Sequence, residues 1–330
     1  MTNRERLVKT LRFEKVDRLP VIEWAHWWDK TVERWHGEGL PSELRDPLEI
    51  REFFGLDRLI QLGYSPMGPD CPQAQGHGMP IVYNEYEYRY VKRYLYPRDA
   101  VDQDALRSVA QKHASGDVVI WFTLEGFFWF PRTLLGIENH LTAFYDSPAL
   151  MHEMNEHLLQ FNLRVIDQIC EVLAPDFMTF AEDMSYNHGP MLSKEHFEEF
   201  MAPYYRRILP VLEDRGIVSI IDTDGDITIA AQWFEDVGAR GLLPLERMAG
   251  VDVNQLRRDH PRLNMIGAFD KTVMHLGEER IRQEFERLMP VLKQGGYIPA
   301  CDHQTPPGVS IEDYRLYVRL LKEYCQKAME

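Results

Sequence analysis

The sequence predicts a single α/β domain folded as a (β/α)8 barrel of the TIM type. Two observations carry that reading. Short apolar runs recur along the chain, each closing on a polar or acidic residue and each followed by an amphipathic stretch. The runs are also nearly continuous in β-branched and aromatic residues, as strands covered on both faces by helices require. Roughly eight repeats of this unit match a barrel. The competing open doubly wound sheet is weakened because no G-x-G-x-x-G follows any run.

In chain order the runs are LPVIEW (19–24), LDRLIQL (56–62), DVVIWFTLEG (117–126) and DFMTFAED (176–183), then IVSIIDTD (217–224), GLLPLE (241–246), LNMIGAFD (263–270) and GYIPACDH (296–303). Between them, 147–174 places Leu158, Phe161, Leu163, Ile166, Ile169 and Leu173 at helical spacing. Residues 193–216 open on Ser193 as an N-cap and close on Gly216 past the C-terminus, with Pro210 as a kink or a new start. Helices over 277–296 and 310–329 complete the set, the latter opening on a Ser310–Asp313 capping pair. One segment breaks the rhythm. Residues 63–116 form a long insertion after the second run, and IVYNEYEYRYVKRYLY (81–96) within it alternates like a solvent-facing hairpin. Such an insertion suits a lid over the barrel mouth, or a packing excursion on the barrel side. Residues 1–330 are thus read as one domain.

Composition narrows the function classes. The chain carries 37 Lys and Arg against 52 Asp and Glu, a formal net charge of −15. That argues against phosphate-neutralising nucleic-acid binding and against docking on anionic lipid. Four scattered cysteines make no disulfide framework. The N-terminal MTNRERLVKTLRFEKVDRLP lacks the apolar core of a signal peptide, and no run is long enough to span a membrane. A soluble, cytoplasmic protein is expected.

Barrel enzymes carry their chemistry at the C-terminal ends of the strands. Here those ends hold Glu23 and His26, Glu125, Glu182 and Asp183, Asp222 and Asp224, Glu246, Asp270, and Cys301, Asp302 and His303. Such an acidic ring either binds a cation or holds several shifted pKa values. IIDTDGDI (220–227) opens like a calcium loop, but Ile227 and Trp233 occupy the positions that need Gly and Glu. Plainer roles stand beside these. Asp226 suits the cap of a helix over 227–238, Asp270 the cap of the next helix, and Cys301 a small core hydrophobe. Trp24, Trp27, Trp28, Phe127, Phe128 and Trp129 suit either an aromatic pocket or ordinary core.

These stretches resemble the uroporphyrinogen decarboxylase superfamily, which also contains corrinoid-dependent methyltransferases. The likeness runs from TNRERLVKTLRFEKVDRLPV and FFGLDRLI through EGFFWFPRTLLGIENHLTAFYDSPALMHEM, FAEDMSYNHGPMLS, DTDGDI and GLLPLE. It continues to GAFDK and GGYIPACDHQTPPGVSIEDYRLYV. The resemblance implies a distorted (β/α)8 barrel. The decarboxylases grip substrate carboxylates with an arginine-rich stretch after the first strand. Here that region reads EWAHWWDK and holds no arginine, which disfavours a porphyrinogen substrate. The zinc methyltransferases of the superfamily use a His-x-Cys pair, an acidic residue and a distant Cys. That pattern falls on Asp222, Asp224, Glu246 and Cys301, the implied ligands if zinc is bound. Exchanging soft ligands for carboxylates disfavours thiol methylation. The resemblance implies instead the substrate-side methyltransferase of an O-demethylase, moving a methyl group from a methoxy compound, often an aromatic one, to the cobalt of a partner corrinoid protein. Asp222, Asp224, Glu246, His303 and Glu182 are the expected catalytic residues. His26, Trp27, Glu125, Trp129 and Tyr186 are expected to meet the small-molecule methyl donor, and a homodimer is compatible with the chain. A cofactor-free decarboxylase of a small acid and a ligand-binding barrel without turnover are the alternatives.

Overall fold

The computed structural model describes residues 1–330. Its strands are β1 (Leu59–Tyr64), β2 (Val119–Glu125), β3 (Phe177–Ala181), β4 (Ser185–Tyr186), β5 (Gly189–Pro190), β6 (Val218–Asp222), β7 (Gly241–Leu243), β8 (Asn264–Phe269) and β9 (Tyr297–Cys301). Seven of them form one parallel sheet in the order β1-β2-β3-β6-β7-β8-β9. β4 and β5 make a two-residue antiparallel pair in the loop after β3.

Strand alternation sorts the side chains into two layers. Leu59, Val119, Trp121, Phe177, Ile220, Leu243, Ile266, Ile298 and Ala300 pack together inside the curled sheet. Their neighbours, among them Phe122, Leu124, Met178, Phe180, Ile221 and Cys301, join the larger core shared with the helices. Because the two faces bury different partners, each strand end has a defined inward residue. That parity decides which side chains reach the mouth.

The first predicted strand is the main departure. Residues 19–24 have no regular ladder, so the sheet has seven strands rather than eight. The segment nevertheless lies between β9 and β1. Ile22 and Trp24 join the inner cluster, Val21 O accepts from Asp57 N at 2.8 Å, and Glu23 Oε2 accepts from Cys301 N at 3.1 Å. Val21 N donates to the Asp57 carboxylate at 3.0 Å. Side-chain carboxylates thus take donors that a paired strand would give to carbonyls, and Pro20 has no donor to offer.

The predicted hairpin at 81–96 is instead a helix, Glu85–Val91, followed by a 3-10 turn, Lys92–Tyr94. Asn84 caps it by accepting from Glu87 N at 3.0 Å. Tyr88 and Val91 turn inward while Tyr83, Tyr86 and Tyr90 stay exposed, a period of three to four that two-residue alternation had disguised. The surrounding segment dresses the barrel flank. Tyr88 Oη meets His157 Nδ1 at 2.9 Å, Ile81 N donates to Leu134 O at 2.8 Å, and Gln103 Nε2 donates to Gln168 O at 2.8 Å. Of its residues only Gly63, which belongs to β1, lines the cavity at the mouth.

Most helices stand close to their expected places. Pro148–Cys170, Glu278–Leu292 and Ile311–Lys327 are continuous, and Ser310 and Asp313 form a reciprocal capping box. Residues 193–216 divide into Lys194–Phe200 and Ala202–Asp214. Ser193 caps the first through His196 N, and Pro203, two residues into the second, suits a fresh start. Pro210 sits inside without ending that helix. Asp226 caps a turn through Thr228 N at 3.0 Å, and the helix beyond it is Ala231–Val237. No helix is long and apolar enough to cross a membrane.

Candidate active site at the barrel mouth

Inward parity continues past the apolar layer. On β2 the inward series Val119, Trp121, Thr123 ends at Glu125, and on β6 Ile220 is followed by Asp222. The loops after β6, β7 and β9 add Asp224, Glu246 and His303. One ligand atom from each of these three lies within 4.8 Å of the others. His303 Nε2 stands 3.4 Å from Asp224 Oδ2, and Gly225 N donates to Glu246 Oε2 at 2.9 Å. Gly225 is at φ +84°, and a Cβ there would lie 2.7 Å from the Tyr186 backbone, so only glycine fits this turn. Lys271 Nζ supplies local positive charge, 3.7 Å from Glu246 Oε1 and 3.8 Å from Asp302 Oδ1.

Asp183 supports the cluster from below. Its Oδ1 accepts from Asp224 N at 3.1 Å, and its φ of 35° is a strained value for a non-glycine residue. Burial, then the Asp224 charge, raises its pKa to about 6. Burial, with Asp183 and Asp224 adding to it, pushes Asp222 well above the carboxylate range. Glu125 is raised to about 7 by burial and by the Glu182 and Asp183 charges, and its Oε2 has no hydrogen-bond partner. His303 moves up because it bonds to Asp224. Burial thus raises the proton affinity of several acids at the mouth, bringing Glu125 to about 7.

Glu182, expected among the catalytic residues, faces the other way. It is fully buried and accepts from Phe127 N and Phe128 N at 2.8 Å, from Trp129 N at 3.2 Å and from Tyr205 Oη. Those bonds fasten the β2 loop and the start of helix Trp129–Leu135. Burial raises its pKa to about 7 despite them. Cys301, an expected metal ligand, is also outward. Its residue is fully buried in the helix-side core, and burial pushes the thiol well up. The structure therefore brings together Asp224, Glu246 and His303 rather than Asp222, Asp224, Glu246 and Cys301.

Substrate-side candidates divide similarly. A cavity of about 530 Å³ opens beside the cluster, lined by Trp24, His26, Gln61, Thr123, His303 and Gln304. Trp24 stands edge-on to His303 at 6.2 Å. Trp27 instead packs among Trp35, Phe54 and Tyr314, and Phe127 and Phe128 are fully buried. Trp129 is half-buried beneath the Arg132 guanidinium, 4.7 Å from its ring centre. Tyr186 is exposed in β4. Gln61, Thr123 and Lys271 went unremarked in the sequence. Inward parity on β1 and β2 points to the first two, and Lys271 directly follows the acid that ends the β8 run.

The sequence profile described as uroporphyrinogen decarboxylase (URO-D) matches residues 103–324, more than half of the chain. The chain belongs to the uroporphyrinogen decarboxylase family. Among solved structures, this family member is similar to a methyltransferase from Methanosarcina mazei, at a TM-score of 0.71 and 17% identity, covering 98% of this chain and 99% of that one. A Listeria monocytogenes protein titled a vitamin-B12-independent methionine synthase aligns at a TM-score of 0.49 and 9% identity, over 95% and 98% of the two chains. No curated protein sequence matches the chain.

Proposed function

We propose that this member of the uroporphyrinogen decarboxylase family transfers a methyl group from a methoxy compound to the cobalt of a corrinoid carried by a partner protein. The observation that carries the reading is the Asp224–Glu246–His303 cluster beside the inward acid Glu125, which burial raises to about 7. Likeness to the Methanosarcina mazei methyltransferase supports it at the level of the fold.

The reaction needs a better leaving group more than it needs a base. As the reduced cobalt takes the methyl carbon, the carbon–oxygen bond breaks and its electron pair stays on oxygen. That oxygen must gain a proton or be polarised. Glu125 suits proton donation: it faces inward, and its Oε2 is bonded to nothing in the protein. Two carboxylate oxygens and one imidazole nitrogen also fit a divalent cation such as zinc, held by Asp224, Glu246 and His303. Bound there, it would polarise the ether oxygen. Trp24 and Thr123 line the space for the methyl donor.

The test mixes the protein with a reduced corrinoid protein and a panel of methoxyarenes, following methylated corrinoid by absorbance. At least one donor should give turnover, reduced about 100-fold or more in Glu125→Gln. An Asp224→Ala variant should lose metal as judged by elemental analysis. No turnover with any methoxy compound would sink the reading.

A further inference from the structure

Trp121 and Thr179 are fully buried, and their polar atoms begin a short chain that ends at the mouth. Trp121 Nε1 donates to Thr179 Oγ1 at 2.9 Å, and Thr179 Oγ1 stands 2.8 Å from Thr123 Oγ1. Neither threonine hydroxyl has another hydrogen-bond partner in the protein. Parallel pairing of β2 with β3 sets Thr123 beside Thr179, with Trp121 one inward step below on β2. Of the three residues, only Thr123 lines the mouth cavity.

The direction of this chain follows from its protons. An indole N–H only donates, so Thr179 Oγ1 uses a lone pair on Trp121. The Thr179 proton then needs an acceptor, and Thr123 Oγ1 is the one within reach. If Thr123 donated to Thr179 instead, the Thr179 proton would stay buried with nothing to accept it. The satisfied order therefore runs from Trp121 through Thr179 to Thr123, each donor polarising the next. That order leaves the Thr123 proton to the cavity. Gln61 and Gln304 line the same space, but an amide turns to offer either its oxygen or its nitrogen. Thr123 offers a proton.

We propose that Thr123 sets the substrate preference of the mouth cavity, donating a hydrogen bond to a neutral carbonyl oxygen that the methyl donor carries besides its methoxy group. A neutral oxygen is favoured over an anion because no arginine or lysine lines the cavity, while the Asp224 and Glu246 carboxylates stand beside it with His303. Room for the group is built in. Gly63 pairs with Thr123 across β1 and β2, and a Cβ on Gly63 would meet nothing within 4 Å, so that flank of the hydroxyl stays open. His303 belongs to both the cavity and the acidic cluster, so a ligand held by Thr123 lies alongside that cluster. That the ligand is a methyl donor rests on the methyl-transfer reading. The direction of the relay and the preference for an acceptor do not.

The test has two arms, both on the full chain without corrinoid. Calorimetric titration compares 4-methoxyacetophenone with 4-isopropenylanisole, in which a CH2 group replaces the carbonyl oxygen and the methoxy group is kept. The ketone should bind saturably and more tightly than the alkene. Thr123→Val should shift the ratio of the two affinities towards the alkene by at least about 5-fold, whereas Thr123→Ser, which keeps the hydroxyl, should hold it within about 2-fold. No saturable ketone binding, or an unchanged ratio in T123V, would overturn the proposal. Equal weakening of both ligands would do so too, because the hydroxyl would then be meeting the ether oxygen. Neutron diffraction from crystals of the perdeuterated protein reads the relay itself and needs no variant to fold. The Thr179 deuteron should lie on the line to Thr123 Oγ1, and a Thr123 deuteron on the line to Thr179 would sink the idea. A ketone preference without methyl transfer leaves the Thr123 donor standing and counts against the methyl-transfer reading alone.

Discussion

At the residue scale, one step along a strand separates a group that faces inward from one that packs against the helices. Cys301 and Asp302 are adjacent, but Ala300 faces inward, so Cys301 faces the helices. Asp302 is buried, accepting from Arg247 N at 3.0 Å and Lys271 N at 3.2 Å. A Cys301→Ala variant should therefore bind added zinc as the unaltered protein does while losing about 1–2 kcal/mol of stability to a small cavity. Elemental analysis and urea unfolding read both, and loss of metal would restore the thiol as a ligand. Glu125 and Glu182 illustrate the same division. Both are acids raised to about 7 by burial, yet one has a free oxygen and the other is bonded on both.

At the scale of elements, the loop after β2 depends on a single absent side chain. A Cβ on Gly126 would lie 2.3 Å from Glu182 Cδ and 2.7 Å from Ala181 O. Gly126→Ala should push Glu182 off the Phe127, Phe128 and Trp129 amides and cost about 3 kcal/mol or more. Denaturant midpoints test this, and an unchanged midpoint would show that the loop can shift. Residues 81–96 show where pattern reading failed. Alternating tyrosines imitated a strand, while the Asn84 cap and the Glu85–Arg89 pair support a helix. Residues 19–24 failed in the opposite way. Their composition suits a strand, but Pro20 and the carboxylates of Asp57 and Glu23 replace the ladder.

For the whole molecule, the buried acids set the pH dependence of stability. Burial raises Glu23, Glu125 and Glu182 to about 7, and Asp183 and Asp302 to about 6. The folded state therefore binds these protons more tightly than the unfolded chain does. Their contribution is present in full below the unfolded carboxylate range and is lost as pH rises through 6 to 7. Melting temperature should fall between about pH 5 and pH 8 at constant ionic strength, and a flat or rising curve would contradict it. Glu125→Gln should flatten part of that slope, on the order of 1 kcal/mol, because the amide has no proton to lose.

The α/β class, seven of eight strand positions, the principal helices and the acid-rich strand ends were all legible in the linear sequence. Apolar periodicity and capping are local properties, and a parallel sheet covered by helices needs short, nearly continuous apolar runs. The absence of an eighth strand and the membership of the mouth cluster were decided by tertiary structure alone. Whether a segment joins a ladder depends on partners far along the chain, and here the Glu23 carboxylate takes the Cys301 N–H in place of a strand carbonyl. Whether a carboxylate stands free or is tied to amides depends on what the neighbouring loop presents to it, as Phe127–Trp129 do to Glu182. Burial shifts a pKa only once distant segments have closed over the group.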